Sequence, residues 1–286
     1  MISKERKDLF IDAAQTAAAV RQRSGLDPFD PLCIYDLCEQ VGVTVRFIPI
    51  SMEGMYDRVP KPRIHLSSLR PCGRRVYTCA HELGHHVYGH GTTIDSLQDE
   101  ANTEMKATVE VLVDSFAANL LMPLPGMKKA FRVRQLTAET ATPAQIYAIA
   151  CNFGVGFRTL VEHLRYSVSL LSETRASELR RWSPKDIRDK MLPQYGESVL
   201  KVVDLHWTGC PVDAENGELL LCPAKTTVNG NLLRLLDSNN RYSLFRCENV
   251  GIGRLTFPDQ QGEHFLRIQP PNYVGLVRYR HLDAVD

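Results

Sequence analysis

The chain has 286 residues, of which 44% are apolar and 23% charged, and its formal net charge is +1. Such a composition is typical of globular proteins, and a chain of this length buries a core that needs no disulfide framework. The near-zero charge excludes a molecule-wide electrostatic attraction to nucleic acid or membrane. The N-terminus is charged from the start and no stretch approaches about 18 continuous apolar residues, so we expect no secretory signal, no membrane span and a cytoplasmic protein.

In the first quarter of the chain, the sequence predicts two helices followed by three strands. Residues 4–23 are amphipathic and rich in Ala, which predicts a helix. Asp30-Pro31 resembles an N-cap followed by proline at the first helical position, and predicts a short helix to about Gly42. Stretches rich in β-branched residues predict three strands, at 43–50, 52–57 and 63–68.

Two longer helices follow. The first is predicted from about Arg75 to Tyr88 and ends at Gly89, and a polar stretch at 91–102 predicts a loop. The second covers about 103–121 and ends where Met122-Pro123 interrupts it. Further helical pieces are predicted near 125–135, 143–152 and 157–166. The last two flank a glycine-rich turn and resemble a helix-turn-helix pair, although a docking platform has the same pattern.

From about residue 198 the sequence pattern changes to short strand-like runs separated by turn signals. This pattern predicts a β-rich module. The fold class is therefore α+β. We divide the chain into a core at 1–125, a helical region at 126–195 and a β-rich C-terminal domain at 196–286.

One segment of the first long helix has the pattern of a catalytic zinc site: His81-Glu82-Leu83-Gly84-His85. Residues four apart lie about 40° apart around a helix, so both imidazoles can reach one Zn²⁺ ion. The glutamate beside the first histidine can take a proton from metal-bound water as a general base. The small Gly84 allows another element to pack closely. The pattern also occurs by chance on solvated helix faces, so the interpretation depends on a third ligand.

Two positions are candidates for that ligand. His90 follows His85 by five residues, where the longer zinc-binding pattern needs six, and on an unbroken helix it lies about 180° from His81. We expect it at the helix end, near the carbonyl dipoles. Glu110 and Asp114 lie four residues apart beside an apolar stripe and share one helix face. Glu110 would complete a His₂Glu site with an open position, and Asp114 would fix a histidine tautomer. The alternative is an exposed acidic face.

The sequence RRVYTCAHELGHHVYGH followed by EVLVDSFAANLLMP resembles the two motifs of the ImmA/IrrE metallopeptidases, in their usual order and spacing. The resemblance covers about residues 40–125 and implies a zincin-like core of active-site helices with a small antiparallel sheet. It also implies that His81, His85 and Glu110 bind the metal and that Glu82 is the catalytic base.

Two residues depart from the family pattern. Val113 stands where alanine is usual, which affects packing alone. Asp114 stands where asparagine is usual, and it keeps a hydrogen-bond acceptor while adding charge. Asp114 can therefore still accept a hydrogen bond from a ligand histidine and fix its tautomer.

The resemblance also implies an activity. Members of the family cut a partner repressor that carries a helix-turn-helix, and so release stress, mobile-element or defence genes. CapP-like members, encoded beside antiphage signalling operons, are similar in plan and respond to DNA damage. We therefore expect a zinc endopeptidase whose substrate is such a repressor, with the β-rich domain as a sensor.

Residues 128–191 carry an excess of Lys and Arg around Trp182, a composition that fits binding of single-stranded DNA as an activator. The alternative is a solvated helical surface, which we favour. Two other classes of function stay open: a non-cleaving antirepressor with a structural zinc site, and a DNA-binding regulator. The intact Glu82 argues against the antirepressor, because a structural site needs no such carboxylate.

Two further roles are open at the level of residue type. A donor for the developing oxyanion is required, and the candidates are His65, His86, Tyr88 and His90. The eight cysteines form no CxxC pair, and most are expected to be small buried hydrophobes. A thiolate in the open metal position would silence the enzyme. Cys72 and Cys210, which lie beside prolines in loop-like contexts, are the candidates for that block.

Overall fold

The computed structural model describes residues 4–91, 103–196, 198–258 and 262–282. The chain forms two compact units. The first runs to Lys129 and also contains the short segments 166–168 and 274–278, while the second contains the rest. The predicted division at 125 and 195 stays a prediction. The helices after residue 143 and the strands between residues 200 and 269 lie together in the second unit, apart from residues 166–168.

The first unit contains four described helices and three consecutive strands. The helices are α1 (Lys4–Arg23), α2 (Ile34–Gln40), α3 (Cys72–Val87) and α4 (Thr103–Leu121). The strands are β1 (Thr44–Ile48), β2 (Gly54–Asp57) and β3 (Arg63–Ser67). Apart from α2, these elements lie within a few residues of the predicted ones.

Helix α2 begins later than predicted. Cys33 is its N-cap, and its side chain does not make the capping hydrogen bond. Asp30 does not cap a helix, because its carboxylate accepts a hydrogen bond from Lys129 Nζ at 2.6 Å and its carbonyl accepts one from Arg21. The expected cap is therefore used to hold the α1–α2 connection.

A strand from near the end of the chain completes the sheet of the first unit. The order is β12-β1-β3-β2, in which β12 is Gly275–Leu276. Strand β12 pairs antiparallel with β1, with Leu276 opposite Arg46, whereas β1 and β3 are parallel. The predicted small antiparallel sheet is therefore wrong, because the sheet is mixed. The segment 274–278 thus lies in the first unit, whereas the predicted β-rich domain at 196–286 includes it.

Helices α3 and α4 pack closely because a glycine faces the contact. A Cβ atom on Gly84 would lie 3.1 Å from Val113 Cβ and 3.1 Å from Phe116 Cδ1. Val113, Phe116 and Leu120 are completely buried. The close approach expected at Gly84 is therefore present, and Val113 fills the space beside it.

One described helical stretch, Ala107–Val133, is long and apolar enough to cross a membrane by length and composition. It is not one continuous helix, because α4 ends at Leu121 and α5 (Leu124–Val133) begins after Pro123. Several of its apolar side chains are buried within the protein. Core packing accounts for the composition of α4.

The second unit combines short helices with two four-stranded sheets. The helices are α6 (Pro143–Asn152), α7 (Phe157–Glu162), α8 (Glu173–Leu179) and α9 (Pro184–Met191). The strands are β4 (Leu200–Val202), β5 (Val212–Glu215), β6 (Leu219–Pro223), β7 (Thr227–Asn229), β8 (Leu233–Ser238), β9 (Tyr242–Cys247), β10 (Gly251–Thr256) and β11 (Glu263–Gln269). They form the sheets β5-β11-β10-β7 and β4-β6-β9-β8. The chain thus contains both helices and sheets in largely separate stretches, which fits an α+β class.

Helices α6 and α7 form the pair that resembles a helix-turn-helix. Gly154 between them has φ +66°, a left-handed conformation that favours glycine. Helix α7 has six residues and continues as a π-helical turn at His163–Ser167. Phe157, Leu160 and Val161 are buried, so this helix presents much of its surface to the core.

Candidate metal centre

Three side chains from α3 and α4 converge on one point. His81 Nε2 lies 3.3 Å from His85 Nε2 and 3.2 Å from Glu110 Oε2. His85 Nε2 lies 3.7 Å from Glu110 Oε1. These ligand atoms all lie within 4.8 Å of one another, a group of two nitrogens and one oxygen that could hold a metal ion. The arrangement follows from the four-residue spacing on α3 and from the close contact of α4 at Gly84.

The carboxylate of Glu82 is buried beside this cluster, at 6% exposure. The backbone N–H of Tyr56 in β2 donates a hydrogen bond to it, and Oε2 has no partner among the described residues. Burial raises the pKa of Glu82 to about 7, with a smaller contribution from the negative charge of Glu110. A buried acceptor without a partner next to three metal-type ligands fits a site that takes up a metal ion and its water.

His81 is held from behind by a carboxylate on α4. Its Nδ1 lies 2.9 Å from Asp114 Oδ1, and Tyr77 one turn earlier donates its hydroxyl to the Asp114 carbonyl at 3.1 Å. Burial alone lowers the pKa of His81, but the hydrogen bonds to Asp114 and Glu110 outweigh it and raise that pKa to about 10. The hydrogen bond to His81 also lowers the pKa of Glu110.

His85 has a different neighbour at its second nitrogen. Its Nδ1 lies 3.1 Å from His90 Nδ1. Burial lowers the pKa of His85 to about 4, and the positive charge of His81 contributes. Sequence reasoning placed His90 at the end of the helix and missed this contact with a ligand.

Two of the other candidates for the oxyanion donor make hydrogen bonds outside the cluster, and the third lies on a different face of the sheet. His65 alternates along β3 with Ile64 and Leu66, which are buried toward α3, so it lies on the opposite face of the sheet. His86 Nδ1 lies 2.8 Å from the Tyr56 hydroxyl. The Tyr88 hydroxyl donates to Asp12 in α1 at 3.0 Å. The Nδ1 atom of His86 and the hydroxyl of Tyr88 therefore have hydrogen-bond partners outside the ligand cluster.

The two candidate thiols also lie outside the cluster. Cys72 opens α3 and precedes His81 by nine residues, about 13 Å along a helix axis. Cys210 belongs to the second unit, where Sγ lies 3.5 Å from the Asn152 carbonyl. Within the described ranges, the ligand group contains no cysteine. The block of the metal position by either thiol has no support in this geometry.

Residues 38–165 match the model of the IrrE N-terminal-like domain, Peptidase_M78. This segment belongs to that family. The IrrE N-terminal-like segment contains β1–β3 and both ligand helices, so the sequence resemblance led to the correct family. The described strands of the second unit, β4 to β11, all lie beyond the matched region.

Other comparisons are more distant. A solved structure of a Mycobacterium tuberculosis transcriptional regulator is 21% identical, with a TM-score of 0.38. The similarity covers 56% of this chain and 50% of the regulator, so the chain spans about half the length of that protein. No curated protein matches the chain.

Proposed function

We propose that the chain is a cytoplasmic zinc endopeptidase in which His81, His85 and Glu110 bind the metal. Glu82 is the general base in this proposal, and Asp114 holds His81. The observation that carries it is the buried Glu82 carboxylate, with one oxygen unpartnered, beside three converging ligands. A structural metal site gains nothing from burying a fourth, non-ligating carboxylate at such a cost in desolvation.

The chain's own residues have distinct tasks in this reaction. When bound, Zn²⁺ would lower the pKa of a coordinated water and polarise the scissile carbonyl. Glu82 accepts the proton at its unpartnered oxygen and passes it to the leaving amine. Without a metal, burial raises the pKa of Glu82 to about 7, and a cation beside it would favour the charged form that accepts a proton. Asp114 accepts the Nδ1 proton of His81, so that Nε2 stays available as a ligand.

The proposed substrate is a helix-turn-helix repressor, whose cleavage releases stress, mobile-element or antiphage defence genes. The support is the membership of 38–165 in the IrrE-like family together with the sequence resemblance. A CapP-like place in a defence operon and a DNA-damage trigger belong to the same proposal.

The basic segment gives less support to a single-stranded DNA activator. Several of its arginines have carboxylate partners within 2.9 Å inside the second unit: Arg134, Arg165, Arg175, Arg180 and Arg188. An arginine held in such a pair must give up its partner before it binds phosphate. The ion pairs therefore favour a structural role for much of the positive charge.

The decisive experiment combines the zinc-loaded chain with a purified repressor encoded beside it, followed by mass spectrometry. We expect one cleavage product set from the wild type, and a loss of about 10²–10⁴-fold or more in rate for E82Q at full metal content. E139Q is the matched control, because Glu139 lies in the second unit and bonds to Ser172.

Two results would contradict the proposal. E82Q that cleaves at the wild-type rate with metal bound would remove the general base. An intact repressor held in a stable complex with the wild type would instead identify a non-cleaving antirepressor with a structural zinc site.

A further inference from the structure

His90 is placed on His85 by the way α3 ends. The helix is capped at Tyr88, and Gly89 follows with φ +70°. The N–H of Gly89 donates to the His86 carbonyl at 3.1 Å, and the N–H of His90 donates to the His85 carbonyl at 3.0 Å. This pair of bonds is the Schellman motif, in which the second residue after the cap folds back onto the third-last helical residue.

In most Schellman motifs the two residues brought together are hydrophobic. Here they are His85 and His90, and their ring nitrogens meet at 3.1 Å. The backbone that terminates the helix therefore also sets the distance between these two side chains. A metal ligand and its neighbour are fixed by one local turn.

Only one proton arrangement makes this contact a hydrogen bond while His85 is a ligand. His85 Nε2 points to His81 and Glu110, so its Nδ1 carries the proton of the neutral ring. His90 Nδ1 must then accept that proton, and the proton of His90 must sit on its own Nε2. The contact thus selects a tautomer in both rings.

The ring of His90 is itself held in place. Tyr88 stacks on it, with centroids 5.8 Å apart and planes 17° apart. Tyr88 also meets Phe116 of α4 edge-on at 5.9 Å and donates its hydroxyl to Asp12 of α1. His90 therefore has a packed aromatic neighbour on one side and the ligand His85 on the other.

We infer that His90 is a positioning residue for the metal site: it accepts the hydrogen bond of His85 Nδ1 and so keeps Nε2 directed at the ion. This role rests on the proposed function, since it concerns the same site. It corresponds to the role of Asp114 behind His81, but with a neutral acceptor supplied by the same helix.

Three substitutions and one control test this role. H90F keeps an aromatic ring for Tyr88 but offers no acceptor. H90N places an amide oxygen close to the position of the lost Nδ1. G89A keeps the His90 side chain but disfavours the left-handed turn that brings it to His85. H86F is the matched control, because His86 contacts the Tyr56 hydroxyl and no metal ligand.

The measurements are Zn²⁺ affinity by competition with a chromophoric chelator and the visible spectrum of the Co²⁺-loaded chain. We expect H90F to weaken Zn²⁺ binding by about 10–100-fold and to shift the Co²⁺ bands. G89A should weaken binding less, H90N should recover most of the loss, and H86F should match the wild type. The melting temperature of each metal-free variant separates loss of folding from loss of the ligand.

Each other outcome overturns a specific claim. H90F with wild-type affinity and spectrum would remove the role of His90 while leaving the peptidase intact. H90N as weak as H90F would show that the ring acts by packing and not as an acceptor. A wild-type chain that binds no Zn²⁺ would remove the proposed function itself, and this inference with it.

Discussion

At the scale of single residues, the two ligand histidines differ in what holds their second nitrogen. His81 Nδ1 faces the carboxylate of Asp114, whereas His85 Nδ1 faces the ring of His90. A carboxylate stabilises a charged imidazolium, and an imidazole does not. Against the effect of burial, the hydrogen bonds therefore raise the pKa of His81 to about 10, while burial lowers that of His85 to about 4. Near neutral pH the metal-free pair carries its proton on His81.

This asymmetry predicts proton release on metal binding. Near pH 7, Zn²⁺ must displace the proton on His81, so about one proton should appear in solution for each ion bound. Calorimetry in buffers of different ionisation enthalpy gives the number from the slope of the heat. D114N removes the charge that holds the proton, so its slope should be smaller. A wild-type slope of zero would show that His81 is neutral before the metal arrives.

At the scale of elements, the separation of α3 and α4 determines whether the third ligand reaches the other two. Gly84 contacts Val113 of α4, one residue before Asp114 and three after Glu110. A methyl group at Gly84 would press on Val113 Cβ and on the ring of Phe116. Both side chains are fully buried. Neither neighbour can move without shifting the helix that carries Glu110.

We therefore expect G84A to weaken Zn²⁺ binding. Overpacking costs about 1–3 kcal/mol, while replacing a helical glycine by alanine returns about 1 kcal/mol. The change in stability should be small or destabilising, but the loss of metal affinity should be clear in chelator competition. G91A is the control, because nothing lies within 4 Å of a Cβ at Gly91. Wild-type affinity in G84A would show that α4 adjusts without moving Glu110.

The elements were predicted correctly from the sequence where the pattern that encodes them lies within a single element. The two helices that carry His81, His85 and Glu110 followed from four-residue spacings and apolar stripes, which are properties of one helix at a time. The grouping of Glu110 with the two histidines was implied by the family resemblance, because the spacing alone left an exposed acidic face open. The contact of His90 was also within reach, because a glycine four residues after a ligand indicates a helix end that folds the next residue back.

Other elements were missed for physical reasons. Strands β5 and β7 have four and three residues, too short to show an alternating pattern. Helices α8 and α9 are also short, and they begin at Ser172 and Ser183, whose caps accept backbone hydrogen bonds. Strand β12 lies in the predicted strand-like region, and only its pairing with β1 was missed, because no local pattern encodes a partner far away in sequence.

At the scale of the whole molecule, the first unit depends on residues from near the end of the chain. Strand β12 forms one edge of its sheet, and Val277 directly after it is 2% exposed. Residues 274–278 are thus part of the first unit. A change there should affect the metal site, even though the sequence separation from His81 is large.

We expect V277D to destabilise the first unit by about 3 kcal/mol or more, because it buries an unpaired charge. Hydrogen exchange should show faster exchange for the amides of β1, and Zn²⁺ affinity should fall. L282D is the control, since Leu282 is 57% exposed. Unchanged protection of β1 in V277D would mean that the sheet is stable without its terminal strand.

The position of β12 also bears on the order in which the protein is made. Ribosomes add about 5–20 residues per second, and roughly 150 residues separate Lys129 from the final strand. For about 10–30 seconds after the ligand helices have been translated, the sheet beside them lacks one edge. A nascent chain would therefore acquire a complete first unit only after most of the second unit has been synthesised, and a truncated translation product would lack its edge strand.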